Sequence, residues 1–327
     1  MKKTTAKAPA NIAFIKYWGK KDPILRLPLT NSISMNLNNV FTVTTVEFLP
    51  DLNTDQIEIT GGTLAEKENQ RIIVHLDRVR KLANIRLKAK LKTKNNFPKG
   101  SGIASSASGF AALTLAATKA AGLNLSEKKL SILARLGSGS ACRSIPDGFV
   151  EWIKGHSHET SYAHSIHSPD YWNLIDVIIV VSKKEKKVSS TKGHQQAKSS
   201  PFLETRVKGI RTKIKRIKQA IKSRNFTLLG ETIEAEALNM HAVMMTSSPS
   251  ILYWAPKTVE IMLAIQQWRQ EGLETYFTID AGATTHIICQ KKDLNQLKEK
   301  ISGFRGINKI IVNRPGKGAK LVKTHLF

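Results

Sequence analysis

Between Ile85 and Asn95 the chain alternates without a break: Ile85, Leu87, Ala89 and Leu91 are apolar, while Arg86, Lys88, Lys90, Lys92 and Lys94 are basic. A period of two is that of a strand with one face buried and the other wet. The pattern then changes. An alanine-rich helix is predicted from about Ser105 to Ala121, closed by Gly122, and a second over Leu123 to Gly137, with Ser126 as N-cap and Gly137 at the C-terminal turn. Strands are also predicted near Thr42 to Glu47 and Gln56 to Ile59, with a helix from about Lys67 to Leu82. This mixture predicts an α+β fold.

After an apolar strand at Leu174 to Ser182 the composition shifts at Lys183 to Lys187 and Ser-Ser-Thr-Lys-Gly, placing a soft domain boundary near residue 185, with units at 1–185 and 186–327. The second half reads as helix from Arg206 to about Met245 and from Pro256 to Glu271. Strand, loop and strand come next over Thr275 to Gln290, then a helix near Asp293 to Ile301 and a strand near Lys309 to Asn313. With 327 residues, 41% hydrophobic and 23% charged, the chain is long and apolar enough for two globular units. Cys142 and Cys289 build no disulfide framework, and Met1 to Lys7 is followed by no apolar signal core, so a cytoplasmic protein is expected. Leu174 to Val181, interrupted by Asp176, is far short of the roughly 20 residues of a membrane span, so no membrane partner is expected.

Lys and Arg number 51 against 25 Asp and Glu, a formal charge of +26. Such a balance raises affinity for polyanions. From Arg206 to Arg224 there are nine basic residues and no acidic one, yet Val207, Ile210, Ile214, Ile217 and Ile221 recur at helical spacing, so the basic residues read as the outer face of a helix. Aromatic residues are 6% and are not interleaved with the basic ones, which disfavours nucleic acid bound by base stacking.

Four segments hold the candidate chemistry. Pro98 to Gly109 is a glycine- and serine-rich loop entering the alanine-rich helix; small residues let backbone N–H groups approach a ligand, and the helix N-terminus favours phosphate. It matches neither the Walker loop nor the Gly-x-Gly-x-x-Gly turn, and alone reads equally as a capped helix packed closely on a sheet. Gly137 to Ser144 carries Arg143, whose planar fork suits a carboxylate or phosphate, though a turn with a surface arginine has the same pattern. Phe277 to Gly282 is a strand ending at Asp280 before a small-residue turn, which presents a carboxylate or forms an Asx turn. In Ala8 to Asp22, Lys16 and Lys20 bracket the pair Tyr17-Trp18. His156, His158, His164 and His167 complete no metal spacing and read as a polar loop, and His241 reads as a buried or cleft-facing histidine.

Together with Leu29 to Met35, Gly137 to Trp152 and Val188 to Gly193, these segments resemble the diphosphomevalonate decarboxylase family of the GHMP kinase superfamily, in family order over most of the chain. The resemblance implies a two-domain fold, with a ribosomal-protein-like first domain, a ferredoxin-like second domain and a deep cleft between them. It also implies ATP and Mg2+ as cofactors, an anionic small-molecule substrate, a homodimer, and conversion of mevalonate 5-diphosphate to isopentenyl diphosphate with ADP, phosphate and CO₂. By resemblance Asp280, Arg143 and Lys16 are catalytic, and Asn11, Tyr17, Lys20, Ser138, Ser140, Arg143 and Ser190 bind substrate. Gly100, Ser101, Gly102, Ala104, Ser105 and Ser106 form the ATP phosphate loop, with Ser105 or Ser106 as the hydroxyl open to a metal and Arg71 as a further match. Two departures bear on substrate choice: Ala283-Thr284 stands where relatives have Pro-Asn, and Pro146-Asp147 adds a negative charge after Arg143. A related enzyme acting on mevalonate or its 5-phosphate, as a 3-kinase that stops before decarboxylation or as a phosphomevalonate decarboxylase, a nucleic-acid-binding role and a decayed enzyme kept as a structural partner are the alternatives.

Overall fold

The computed structural model describes residues 2–62, 64–97, 103, 105–181 and 187–327. The first part of the chain runs β1 (Thr4–Ile15), β2 (Lys20–Asp22), β3 (Leu27–Pro28), β4 (Ser32–Leu49), β5 (Gln56–Ile59), α1 (Glu66–Ala83), β6 (Lys88–Asn95), α2 (Ser105–Ala120), α3 (Glu127–Gly137), a 3₁₀ turn (Gly139–Ser144), β7 (Phe149–Trp152), β8 (Ala163–His167) and β9 (Leu174–Val180). The remainder is α4 (Ser190–Gln196), α5 (Leu203–Ser223), α6 (Phe226–Met245), α7 (Pro256–Gln270), β10 (Thr275–Ile279), β11 (Thr285–Gln290), α8 (Leu294–Ser302), β12 (Lys309–Asn313) and β13 (Lys320–Val322). One sheet has the order β13-β1-β4-β6-β5, with β7 on β4 and β8 on β7; a second has the order β10-β11-β9-β12, and β2 and β3 pair as a two-stranded sheet. β9, before residue 185, pairs in the second sheet, and β13, near the end of the chain, pairs in the first with Thr5 opposite Val322.

The alternating stretch forms β6: Ala89 and Leu91 turn inward onto Leu76 and Val79 of α1, and Lys90 and Lys94 face solvent. In the same core Ala111, Ala112, Ala116 and Ala117 of α2 meet Ala6 and Ala8 of β1, small residue on small residue, which brings the helix close to the sheet. The opposite face of β1 and β4 presents Ile12, Phe14, Ile33 and Met35 to a second core shared with Ile178 of β9 and Ile210, Ile217 and Ile221 of α5. Ile175, Val177 and Ile179, on the other side of β9, pack with Ile261 and Ile265 of α7 and Leu297 of α8. With both faces buried, β9 is apolar almost throughout.

The expected single helix from Arg206 is two helices. Arg224 adopts a left-handed conformation at φ 52° and Asn225 accepts from the Leu228 N–H at 2.9 Å, ending α5 and starting α6. Nor are all the basic residues of α5 on its outer face. Arg206 is buried and, with Lys213, turns onto the fully buried Glu236 of α6.

Candidate active site

β1 ends at the site, and the segment leaving it is held by residues of the second half of the chain. The Lys16 N–H donates to Glu236 Oε1 at 3.3 Å, and the Lys16 carbonyl accepts from Arg206 at 3.0 Å, so the ion cluster of α5 and α6 grips the backbone of one residue on both flanks. The Lys16 ammonium, 1% exposed, then reaches Asp280 Oδ1 at 2.6 Å, just beyond β10. Gly19 N donates to His194 Nδ1 at 3.0 Å, and the His194 ring lies 4.3 Å from that of Tyr17 and 4.5 Å from that of Trp18, docking α4 on the same stretch. β1 itself is irregular between Pro9 and Asn11 and between Ala13 and Ile15, the local re-aiming of side chains that bulges give next to sites.

Arg143 projects from the 3₁₀ turn. Asn11 Oδ1 accepts from its Nε at 3.3 Å and from Nη2 at 3.1 Å, and Ser32 Oγ accepts from Nη1 at 2.9 Å. Asn11 donates to Ser144 Oγ at 2.8 Å and to the Ser140 carbonyl at 3.3 Å. Asn11, expected to touch substrate, therefore lies one layer back: both ends of its amide are engaged, and it sets the plane of the guanidinium. Lys16, Tyr17, Lys20, Ser138, Ser140, Arg143, Ser190 and Asp280 line one cavity of about 350 Å³, together with Ser105 and Ser106 at the start of α2. Gly100, Ser101, Gly102 and Ala104 lie outside the described residues. Arg71 also lines this cavity, as do Arg26, Glu68 and His194, which sequence reasoning missed. Gly139 is needed for closeness, since a Cβ there would stand 2.5 Å from the Tyr17 ring.

The electrostatics divide the cavity in two. Burial raises the proton affinity of Asp280, but the charge and hydrogen bond of Lys16, with smaller attractions from His286 and Arg143, outweigh it and hold the carboxyl below its usual range. Lys16 is itself held below the normal lysine value, by burial first, against the opposing pull of Asp280 and Glu236. At the other end, burial and then the charges of Arg26 and Arg71 bring Lys20 down to about 8. The Tyr17 hydroxyl lies between the two ends, buried and without a partner among the described residues, its proton held by desolvation. His241 is not part of the cavity lining. It sits behind Asp280, its ring 4.7 Å from that of Trp254, and burial holds it neutral at about 3.

A second cavity, about 120 Å³, adjoins the first and shares Glu68, Arg71, Ser105 and Ser106 with it. Ile59, Leu64, Ile72, Leu91, Phe110 and Leu113 make it apolar, and Asn95 adds an amide. An apolar slot opening onto hydroxyls at a helix N-terminus suits a nucleotide, with the base in the slot and the phosphates at the start of α2. Magnesium is usually held by one or two carboxylates together with phosphates, and Glu68 with Ser105 or Ser106 borders that position. Both sequence departures are accommodated. Asp147 is exposed and accepts from the Gly318 N–H at 2.6 Å, outside the cavity, so the charge expected near the anion site faces away. Thr258 of α7 donates to the Ala283 carbonyl at 2.8 Å, tying down the loop that lacks proline. Of the clustered histidines, His158 faces Arg135, His164 lies 3.9 Å from Glu151, and His167 stacks on Tyr171.

Comparison with known proteins fits this geometry. Residues 8–163 match the model of the diphosphomevalonate decarboxylase-like N-terminal domain, and residues 176–321 match that of the mevalonate 5-diphosphate decarboxylase C-terminal domain. The chain is 35% identical to a diphosphomevalonate decarboxylase of Candida albicans, covering 84% of this chain and 81% of that one. It is 31% identical to a phosphomevalonate decarboxylase of Haloferax volcanii, covering 92% of each. A solved structure described as MDDEF in complex with MVAPP, AMPPCP and magnesium superposes with a TM-score of 0.93 at 39% identity, covering 98% of this chain and 99% of that one. No described helix is long and apolar enough to cross a membrane. In its two-domain α+β architecture and in both halves of its sequence, the chain belongs to the diphosphomevalonate decarboxylase family.

Proposed function

We propose that this chain converts mevalonate 5-diphosphate to isopentenyl diphosphate, using ATP and Mg2+ and releasing ADP, phosphate and CO₂. The observation that carries the reading is one cavity with a carboxylate–ammonium pair and Arg143 at one end and three further cations at the other. When bound, ATP with Mg2+ supplies the phosphoryl group that turns the tertiary 3-hydroxyl into a leaving group. Asp280, held ionised by Lys16, accepts the hydrogen bond of that hydroxyl and aims its oxygen; a loose phosphoryl-transfer transition state asks for this positioning more than for a strong base. Arg143, braced by Asn11 and Ser32, holds the carboxylate so that the C1–C2 bonding pair can form the C2=C3 double bond as phosphate leaves C3 and CO₂ departs. Lys16 and Arg143 offset the charge that develops on the departing phosphate.

The family resemblance further supports a cytoplasmic homodimer of two units meeting at the cavity, and the two cysteines, both buried thiols, suit a reducing compartment. The Haloferax relative supports a second reading, in which the substrate is the 5-phosphate. One assay separates the readings: ATP turnover and CO₂ release with mevalonate, its 5-phosphate and its 5-diphosphate. Equimolar ADP and CO₂ with the diphosphate is the expected result. The same yield from the 5-phosphate alone selects the second reading, and salt-sensitive RNA binding without turnover sinks both.

A further inference from the structure

Lys20, Arg26 and Arg71 line the far end of the cavity, where Glu68 attracts Arg71, and Arg78 stands behind them outside the lining. Arg26 Nε donates to the Leu136 carbonyl at 3.0 Å, Arg78 donates to the same carbonyl at 3.3 Å, and Arg71 donates to the Gly137 carbonyl at 3.0 Å. The C-terminal carbonyls of α3, the negative end of its dipole, thus anchor three guanidinium groups side by side. None of the three forms a salt bridge among the described residues. Lys20, 8% exposed as a residue, lines the cavity beside Arg26 and Arg71, and its ammonium has no hydrogen-bond partner among the described residues and opens onto the cavity, an arrangement suited to an anion. Arg26 itself stands at φ 52° after the turn that Asp22 builds by accepting from the N–H groups of Ile24 and Leu25 at 2.7 and 2.8 Å. That conformation costs a residue with a Cβ, and here it brings the guanidinium into the cavity.

Arg71 lines both cavities, whereas Lys20 and Arg26 line the larger one alone. Arg71 is therefore shared with the nucleotide, and the other two serve the tail of the substrate. We infer that Arg26 is a specificity-determining residue that binds the terminal phosphate of a diphosphate tail and so sets the preference for diphosphate over monophosphate. The inference rests on the mevalonate 5-diphosphate reading and adds the group that distinguishes it from the 5-phosphate. Wild-type protein, Arg26→Met and Arg26→Lys are compared in kcat and KM with both substrates, and in calorimetric titrations with inorganic pyrophosphate and inorganic phosphate as probes. In Arg26→Met the kcat/KM ratio of diphosphate to monophosphate falls about tenfold or more, chiefly through KM, as loss of a charge-assisted bond predicts. Pyrophosphate affinity falls by a similar factor and phosphate affinity by less, with Arg26→Lys between. Equal losses for both substrates and both probes, or no loss, overturn the inference. Wild-type turnover decides the diphosphate reading, and the two probes decide Arg26 without any turnover.

Discussion

Asp280 and Lys16 stand 264 positions apart in sequence and meet at 2.6 Å, each the main charge that the other sees. In Lys16→Met, burial acts on Asp280 without that counter-charge, so its pKa rises. The acid limb of the kcat profile then moves to higher pH, and kcat at neutral pH falls by about 10²-fold as the carboxylate loses its orientation. Lys20 gives a second pH dependence of opposite sign. Its value of about 8 means that the ammonium is lost as pH rises through that point, and with it part of the attraction for the substrate tail. KM is expected to climb above pH 8 by up to about tenfold per pH unit while kcat changes less, and steady-state kinetics between about pH 6.5 and 9.5 would show it. Lys16, Tyr17, Lys20, Arg143 and Asp280 were legible because they stand in segments with a family likeness. Arg26 was not: one basic residue between Leu25 and Leu27 in a short apolar turn has no spacing to betray it, and only the left-handed backbone and the nearby end of α3 turn it inward.

Among the elements, α5 and α6 do more than cover the sheets. Their buried ions Arg206 and Glu236, with the partly exposed Lys213 on Glu236, hold the main chain just beyond β1. Arg206→Met leaves Glu236 with Lys213 alone and frees the Lys16 carbonyl, so the protein is expected to lose about 3 kcal/mol, read as a lower urea midpoint. Lys213→Met, at a partly exposed position, costs less. Periodicity exposed β6 because it has one dry face, whereas α2, buried on nearly every side, was legible from its alanine-rich composition and the Gly122 that closes it. Periodicity missed β1, in which 12 residues are almost all buried, with alanines under α2 and larger side chains on the opposite face, so neither alternation nor branched residues mark the strand. It also ran α5 into α6, since the apolar spacing continues across Arg224 and only a left-handed residue followed by a capping asparagine separates them.

At the scale of the whole molecule, +26 surrounds a cavity suited to anions. Association should therefore be steered by the surface field, and kcat/KM is expected to fall with rising ionic strength more than kcat does; an assay series in potassium chloride tests this. The α+β class and most of the helices could be read from local pattern, but the partition into the two large sheets could not, because β9 and β13 each pair across the boundary expected near residue 185. That pairing has a bearing on synthesis. A ribosome releases β13, which seals the outer rim of β1 opposite Thr5 to Lys7, more than 300 residues after β1 itself. Throughout that interval the nascent protein carries an unsealed seam, a place for a holdase chaperone to protect.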